Sequence, residues 1–247
     1  GASFYPSSNV YVTVTDNDAG VTLSKSDIFV AEGTVSDSYT IVLNAKPTAD
    51  VTVSIGTGVD VTASPSTVVF TATDWNVPQI VNASAVDDDF AEASEKHILS
   101  HVASSSDAGY DGAVQFWSGF ALLSGDVSVM VYDNDAASVV ISEDTAIATE
   151  GVAIDAYNVS LASRPLSPVT IAVTANSQVR VIPTSLTFSD QDWDAAQTVF
   201  VVAFDDVADE KTELHNIWHS STSSDDDYNG GKALFSKGSN ITATIHD

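Results

Sequence analysis

The chain has no cysteine, one methionine and only 8 lysine and arginine residues among 247. Without thiols there is no disulfide framework, no thiol redox chemistry and no cysteine-ligated zinc. Against those 8 bases stand 34 aspartates and glutamates, a formal net charge of −26. Nucleic acid is therefore excluded as a partner, because phosphate binding needs the opposite sign. An anionic lipid surface repels the chain for the same reason. Such a field draws in cations or basic surfaces. No apolar run approaches the ~20 residues of a membrane helix, so no direct membrane insertion is expected. No stretch sustains a 3.6-residue apolar period, so helix should be scarce. Catalytic signatures are missing as well: there is no G-x-S-x-G, no H-E-x-x-H and no phosphate loop. Paired carboxylates serve glycoside hydrolysis only in a cleft with one protonated acid, and here the acids fall on exposed loops with no flanking aromatic subsites. The chain is read as a non-enzyme. Neither an RTX nonapeptide nor a full EF-hand loop occurs, since Asp16-Asn17-Asp18 lacks the closing glutamate.

What the chain does have is an internal duplication. One acidic stretch, Asp87-Asp88-Asp89-Phe90-Ala91-Glu92-Ala93-Ser94-Glu95, returns as Asp205-Asp206-Val207-Ala208-Asp209-Glu210-Lys211-Thr212-Glu213. Asp87, Asp88, Glu92 and Glu95 each meet a counterpart in Asp205, Asp206, Glu210 and Glu213. An alternating strand ending in Asp-Asn-Asp occurs at Asn9 to Asp18 and again at Val127 to Asp135, and a shortened form closes at Asp247. These marks divide the chain into residues 1–18, the last strand of a preceding repeat or a lead-in segment, a first repeat over 19–135 and a second over 136–247. The junction Asp133 to Ala137 holds no Pro/Gly-rich linker, so the repeats are expected to meet end to end.

Within each repeat the apolar period is two, in runs rich in Val, Thr and Ile, with turn residues about every ten positions. That pattern marks an all-β chain, here two tandem seven-stranded antiparallel β-sandwiches. In the first repeat the strands are read as Val21–Ala31 (interrupted near Ser24–Asp27), Ser38–Leu43, Val51–Ile55, Thr67–Phe70, Gln79–Val86, Lys96–Ala103 and Val127–Tyr132. If consecutive strands alternate in direction, the first, third, fifth and seventh all finish at one pole. Their ends carry Glu32, Asp60, Asp87, Asp88, Glu92, Glu95, Asp133 and Asp135. Carboxylates crowded at one pole with few bases nearby call for a hard divalent cation with oxygen ligands, above all Ca2+.

The motifs that repeat in order resemble the Calx-beta domain family. They are a first strand ending in Glu-Gly (Glu32-Gly33, Glu150-Gly151), a fifth ending in Asp-Asp followed by two glutamates, and a seventh ending in an Asp-rich triplet. The stretch Val181 to Trp193, its looser copy Val61 to Trp75, and S-x-D-x-x-Y at Ser105 to Tyr110 and Ser223 to Tyr228 are similar to tandem Calx-beta-like repeats of large surface proteins. The resemblance implies an immunoglobulin-like sandwich and Ca2+ ligands at Glu32, Asp60, Asp87, Asp88, Glu92, Glu95, Asp133 and Asp135. In the second repeat it implies Glu150, Asp205, Asp206, Glu210 and Glu213. There the position of Asp60 is held by Arg180, and of the terminal triplet only Asp247 is present, so weaker or fewer sites are expected. The implied role is a calcium-binding extracellular or cell-surface segment, structural or adhesive, with Ca2+ rigidifying the domain junction. Its partners would be calcium ions, neighbouring repeats of the chain, and a surface protein or glycan. The alternatives are a regulatory calcium sensor and a carbohydrate-binding adhesin that uses the aromatic loop Phe116-Trp117-Ser118-Gly119-Phe120.

Three further features complete the reading. His97 with His101, and His215 with His219, share a strand face without an implied third metal ligand. Asp225-Asp226-Asp227 lie in a loop that would approach the junction site. Sequons for N-glycosylation stand at Asn82, Asn158 and Asn240.

Overall fold

Period-two sequence becomes period-two burial throughout. The strand Ser36–Leu43 buries Tyr39, Ile41 and Leu43 and turns the residues between them outward. A computed structural model describes residues 19–112, 115–119, 121–152, 154–205 and 211–247. The expected lead-in strand within 1–18, and the ligand candidates Asp206 and Glu210, lie outside the described residues.

The described chain is all-β apart from two single-turn 3-10 segments, Asp226–Tyr228 and Gly230–Lys232. It divides into two compact units, one holding Ser94–Tyr132 and the residues up to Val86, the other Asp87–Ala93 and Asp133–Asp247. The first unit contains β1 Val21–Leu23, β2 Asp27–Ala31, β3 Ser36–Leu43, β4 Val51–Gly56, β5 Val61–Ser64, β6 Thr67–Phe70, β7 Gln79–Ala85, β8 Glu95–Ser104, β9 Phe116–Ser118, β10 Ala121–Leu123 and β11 Asp126–Tyr132. They form a six-stranded sheet in the order β10-β9-β1-β3-β7-β5 and a five-stranded sheet in the order β2-β11-β8-β4-β6. The second unit contains β12 Ser138–Ile141, β13 Thr145–Thr149, β14 Ile154–Leu161, β15 Val169–Ala175, β16 Val179–Ile182, β17 Ser185–Phe188, β18 Gln197–Ala203, β19 Glu213–Thr222, β20 Leu234–Phe235 and β21 Asn240–His246. Its sheets run β16-β18-β14-β12-β20 and β13-β21-β19-β15-β17.

The seven-strand count does not survive, for two physical reasons. First, the chain changes sheets at two places where the sequence shows one strand or none. The strand read over Val21–Ala31 breaks at Ser24–Ser26, so that β1 pairs with β3 while β2 pairs in parallel with β11. The strand read over Thr67–Phe70 is β6 on β4, but a further strand, β5 on β7, precedes it in the other sheet. Pro65 sits at that crossing, where a missing N–H costs no ladder bond. Second, the aromatic loop is a hairpin: β9 joins β1 in parallel and β10 folds back on β9. Phe116 is only 5% exposed, and Trp117 is half-buried. Phe120 lies outside the described residues, and the loop's other two aromatics, Phe116 and Trp117, are largely taken up by packing.

Each unit encloses one apolar core, with Phe70 and Tyr39 at the centre of the first and Phe188 and Tyr157 of the second. Trp75 and Trp193 pack at the edges of these cores. The aspartates before them close the preceding turns: Asp74 accepts from the Thr71 N–H and hydroxyl, and Asp192 from those of Ser189.

A buried tyrosine–histidine pair recurs in both cores. Tyr39 Oη lies 2.7 Å from His101 Nε2, and Tyr157 Oη lies 2.7 Å from His219 Nε2. Both rings are committed to packing, which leaves neither as one half of a zinc pair. His101 Nδ1 meets Gly125 O at 2.8 Å, and the ring also faces Phe116. His219 faces Phe235 and the Ser239 end of β21. Burial holds both imidazoles below the ordinary histidine value, against an opposing pull from the Gly125 and Ser239 carbonyls and, at His101, from Asp126. The neutral ring is the one the fold accepts. As pH falls below about 6.5, the unfolded chain takes up protons that the folded rings refuse, and stability is lost. Between pH 7 and pH 5, urea unfolding should show a fall of at most about 1.4 kcal/mol per pH unit for each ring. Acid also relieves carboxylate repulsion, with the opposite sign. The readout is therefore the difference from a His101→Gln/His219→Gln protein, whose stability curve should slope less steeply toward acid.

Candidate metal centre

The site begins with strand pairing. β2 and β11 are parallel neighbours in the register Ala31↔Tyr132. Glu32 and Asp133 therefore leave the same end of one sheet. The Glu32 N–H donates to Tyr132 O at 3.0 Å. Gly33 follows at φ +61, a left-handed turn that glycine takes without Cβ strain. That turn is the physical content of the Glu-Gly motif, and it folds the chain back so that Val35 pairs with Ala31. Glu32 is only 5% exposed. Carboxylate oxygens of Glu32, Asp133 and Asp135 lie within 4.8 Å of one another.

The segment around Asp133–Asp135 is shaped by hydrogen bonds to its own acids. Asp133 Oδ1 accepts from the Asp135 N–H at 2.7 Å, and Oδ2 from the Glu92 N–H. Asn134 Nδ2 donates to Asp87 Oδ1 at 2.7 Å, and Asp88 Oδ1 accepts from the Phe90 N–H at 2.8 Å. The loop Asp87–Ala93 is anchored further on. Arg164 N–H donates to Asp89 O at 2.7 Å, and its guanidinium lies 4.9 Å from the centre of the Phe90 ring. Asp135 is the most frustrated member. Partial burial pushes its carboxyl above the usual range, and the charges of Asp133, Asp89, Asp87 and Asp88 push it further. Its Oδ2 is shielded from solvent and meets no donor among the described residues.

The single pole read from the sequence resolves into two groups. Asp60 and Glu95 do not join the cluster. They flank His97 instead, with Asp60 Oδ2 3.6 Å from Nδ1 and Glu95 Oε2 3.7 Å from Nε2. Glu92 is exposed and tied to Asp133 through its backbone. Two residues of the site were not legible as such in the sequence: Asp89, whose charge helps push the Asp135 carboxyl up, and Asn134, which fixes Asp87. Both stand within the repeated motifs, but Asp89 has Val207 as its counterpart in the second repeat and Asn134 carries no charge.

The second repeat keeps part of this frame. The Glu150 N–H donates to His246 O at 2.9 Å, as Glu32 does to Tyr132. Gly151 turns at φ +64, and a Cβ there would meet Asp205 Oδ2 at 3.3 Å. Glu213 Oε2 lies 3.1 Å from His215 Nε2, whose Nδ1 meets Asn176 Nδ2 at 2.6 Å. Arg180 is exposed and, with Val173, Val179 and Phe204, lines an open cavity of about 350 Å³. Among the described residues, the only triad of close acids is the one at Glu32, Asp133 and Asp135.

The aspartate-rich loop has a different task. Asp225, 6% exposed, accepts from the Leu166 N–H at 2.8 Å and the Asp227 N–H at 3.1 Å. Tyr228 Oη donates to Ser163 O at 2.7 Å and accepts from Ser163 N–H at 3.2 Å. In the first repeat Asp107 and Tyr110 make the matching bonds to Thr48 and Ala45. S-x-D-x-x-Y is thus a clasp between two loops. Asp226 pairs with Lys232 at 2.8 Å. Asp227 lines a cleft of about 410 Å³ that Glu92, Asp135 and Lys232 also line.

No family model matches the chain, and no curated protein matches it. Solved structures are similar at low identity. The chain is 12% identical to CBD12 from CALX1.2, with a TM-score of 0.40, over 92% of this chain and 99% of that one. It is 14% identical to the calcium binding domain CBD12 of CALX1.1, again with a TM-score of 0.40 and 92% and 99% covered. The periplasmic chaperone SfaE shares 8% identity at a TM-score of 0.34, over 92% and 100%. Likenesses of this strength assign no function.

Proposed function

We propose that the chain is a calcium-binding, non-enzymatic repeat segment of an extracellular or cell-surface protein, structural or adhesive in role. The observation that carries this reading is Asp135, partly buried beside Glu32 and Asp133, with one oxygen that meets no donor among the described residues. The donor set is oxygen only, which suits a hard cation and not a soft one. Calcium fits better than magnesium, because backbone-tied acids of uneven geometry satisfy a flexible coordination shell more readily than a strict octahedron. Glu32, Asp133 and Asp135 would be the inner ligands, with Asp87 and Asp88 from the adjoining loop. Binding would cancel their mutual repulsion and order residues 87–93 and 133–135, stiffening the chain between the two repeats. Glu150 and Asp205, at the matching turn of the second repeat, would form a weaker second site.

A cation that binds only the folded state stabilises it by RT ln(1 + [L]/Kd), about 2.7 kcal/mol at a hundredfold excess over Kd. Thermal unfolding in millimolar calcium should therefore shift upward by several degrees relative to chelator, with magnesium much less effective. A melt indifferent to calcium would reduce the acidic pole to a solvated surface.

A further inference from the structure

We infer that Asn240 is an N-glycan acceptor and that the indole of Trp218 is the surface on which its first sugar rests. The three sequons are not equivalent in the fold. Asn82 lies inside β7, with Ser38 of β3 on one side and Ser64 of β5 on the other. Asn158 lies inside β14, its side-chain Oδ1 accepting from the Thr198 hydroxyl at 2.9 Å and its backbone N–H donating to Ser142 Oγ at 2.9 Å. Both are exposed, but strands hem each of them in. Asn240 is the first residue of β21, directly after the turn at Gly238. The neighbouring strand β13 reaches β21 only from Thr242 onward. Asn240 therefore has a strand on one side alone, and its side chain opens to solvent.

On that one side stands Trp218. Asn240 and Trp218 are directly opposed in the antiparallel pair of β21 and β19, so their side chains rise from the same sheet face about 5 Å apart at Cβ. Trp218 is 45% exposed, a large apolar ring left facing water. The Asn240 amide leans along this face, its Nδ2 3.4 Å from Asn216 Oδ1. Asn216 precedes Trp218 by two on the same face of β19. A sugar on Nδ2 would lie between a ring that offers its apolar face and an amide that offers polar partners. Stacking a sugar's C–H face on indole buries apolar surface on both.

The inference rests on the secretory reading given above but not on the calcium site. The test is to express the chain with a secretory leader in a eukaryotic host and map site occupancy by glycopeptide mass spectrometry. Glycans are then trimmed enzymatically to the single core N-acetylglucosamine, and melts are run in chelator so that calcium plays no part. The expected result is higher occupancy at Asn240 than at Asn82 or Asn158. The trimmed protein should melt about 2–5 °C above the Asn240→Gln protein, and Trp218→Ala should erase that gain. Asn240 and Trp218 are both exposed, so the substitutions leave the apolar core untouched. An unoccupied Asn240 with an occupied Asn82 or Asn158 would overturn the inference. So would a stability gain that is the same with and without Trp218.

Discussion

Asp135→Asn should stabilise the calcium-free protein and abolish most of its response to calcium. The two effects have one cause. Without a cation, the Asp135 carboxylate is held among like charges and its Oδ2 meets no donor among the described residues. An asparagine removes the charge and presents an N–H2 to the neighbouring carboxylates. In this partly exposed setting the gain is about 0.5–1 kcal/mol, or a rise of roughly 2–4 °C in chelator. The same change deletes a ligand, and calcium affinity should fall at least ~10-fold. A mutation that raises apo stability while lowering holo stability is the mark of a binding site held under electrostatic frustration. If Asp135→Asn melted lower than the parent in chelator, its carboxylate would have a structural role instead.

Asp225→Ala should do the reverse, with a loss of stability that calcium does not modify. Its two acceptor oxygens serve the N–H groups of Leu166 and Asp227 in a nearly closed site. Truncation leaves both donors without this partner, a cost of about 2 kcal/mol. The midpoint of the second unit should drop by roughly 5–10 °C, equally in calcium and in chelator. Asp226→Ala, at an exposed pair with Lys232, should be close to silent. The contrast separates the clasp from the metal centre. A calcium-dependent loss at Asp225 would return that loop to the ligand set.

Much of the sandwich was legible because alternation survives in strands with one buried face. The strand read over Val127–Tyr132 is β11 to within one residue, and Ser24–Asp27 betrays the break between β1 and β2. The crossing from β5 to β6 was missed because four residues of alternation are too few to stand out and Pro65 reads as a loop. The hairpin of β9 and β10 was missed because a Gly-centred aromatic run looks like an exposed loop until Phe116 is seen packed on His101. Strand parity brought the acids to one pole but gave no distances, so it could not separate Asp60 and Glu95, gathered round His97, from Glu32, Asp133 and Asp135. The S-x-D-x-x-Y motif was legible as a repeat but not as a clasp, since its partners Thr48, Ala45, Leu166 and Ser163 lie far away in sequence and carry no motif of their own.

The most direct test is a calorimetric titration of calcium into the chelator-stripped protein, run in parallel on Asp135→Asn and on Arg180→Asp. The parent should bind saturably, with a tighter component lost in Asp135→Asn. A weaker component should remain, strengthened when Arg180→Asp replaces a positive charge of the second unit with a negative one. Absence of saturable heat in the parent, confirmed by equilibrium dialysis, would contradict the calcium assignment outright.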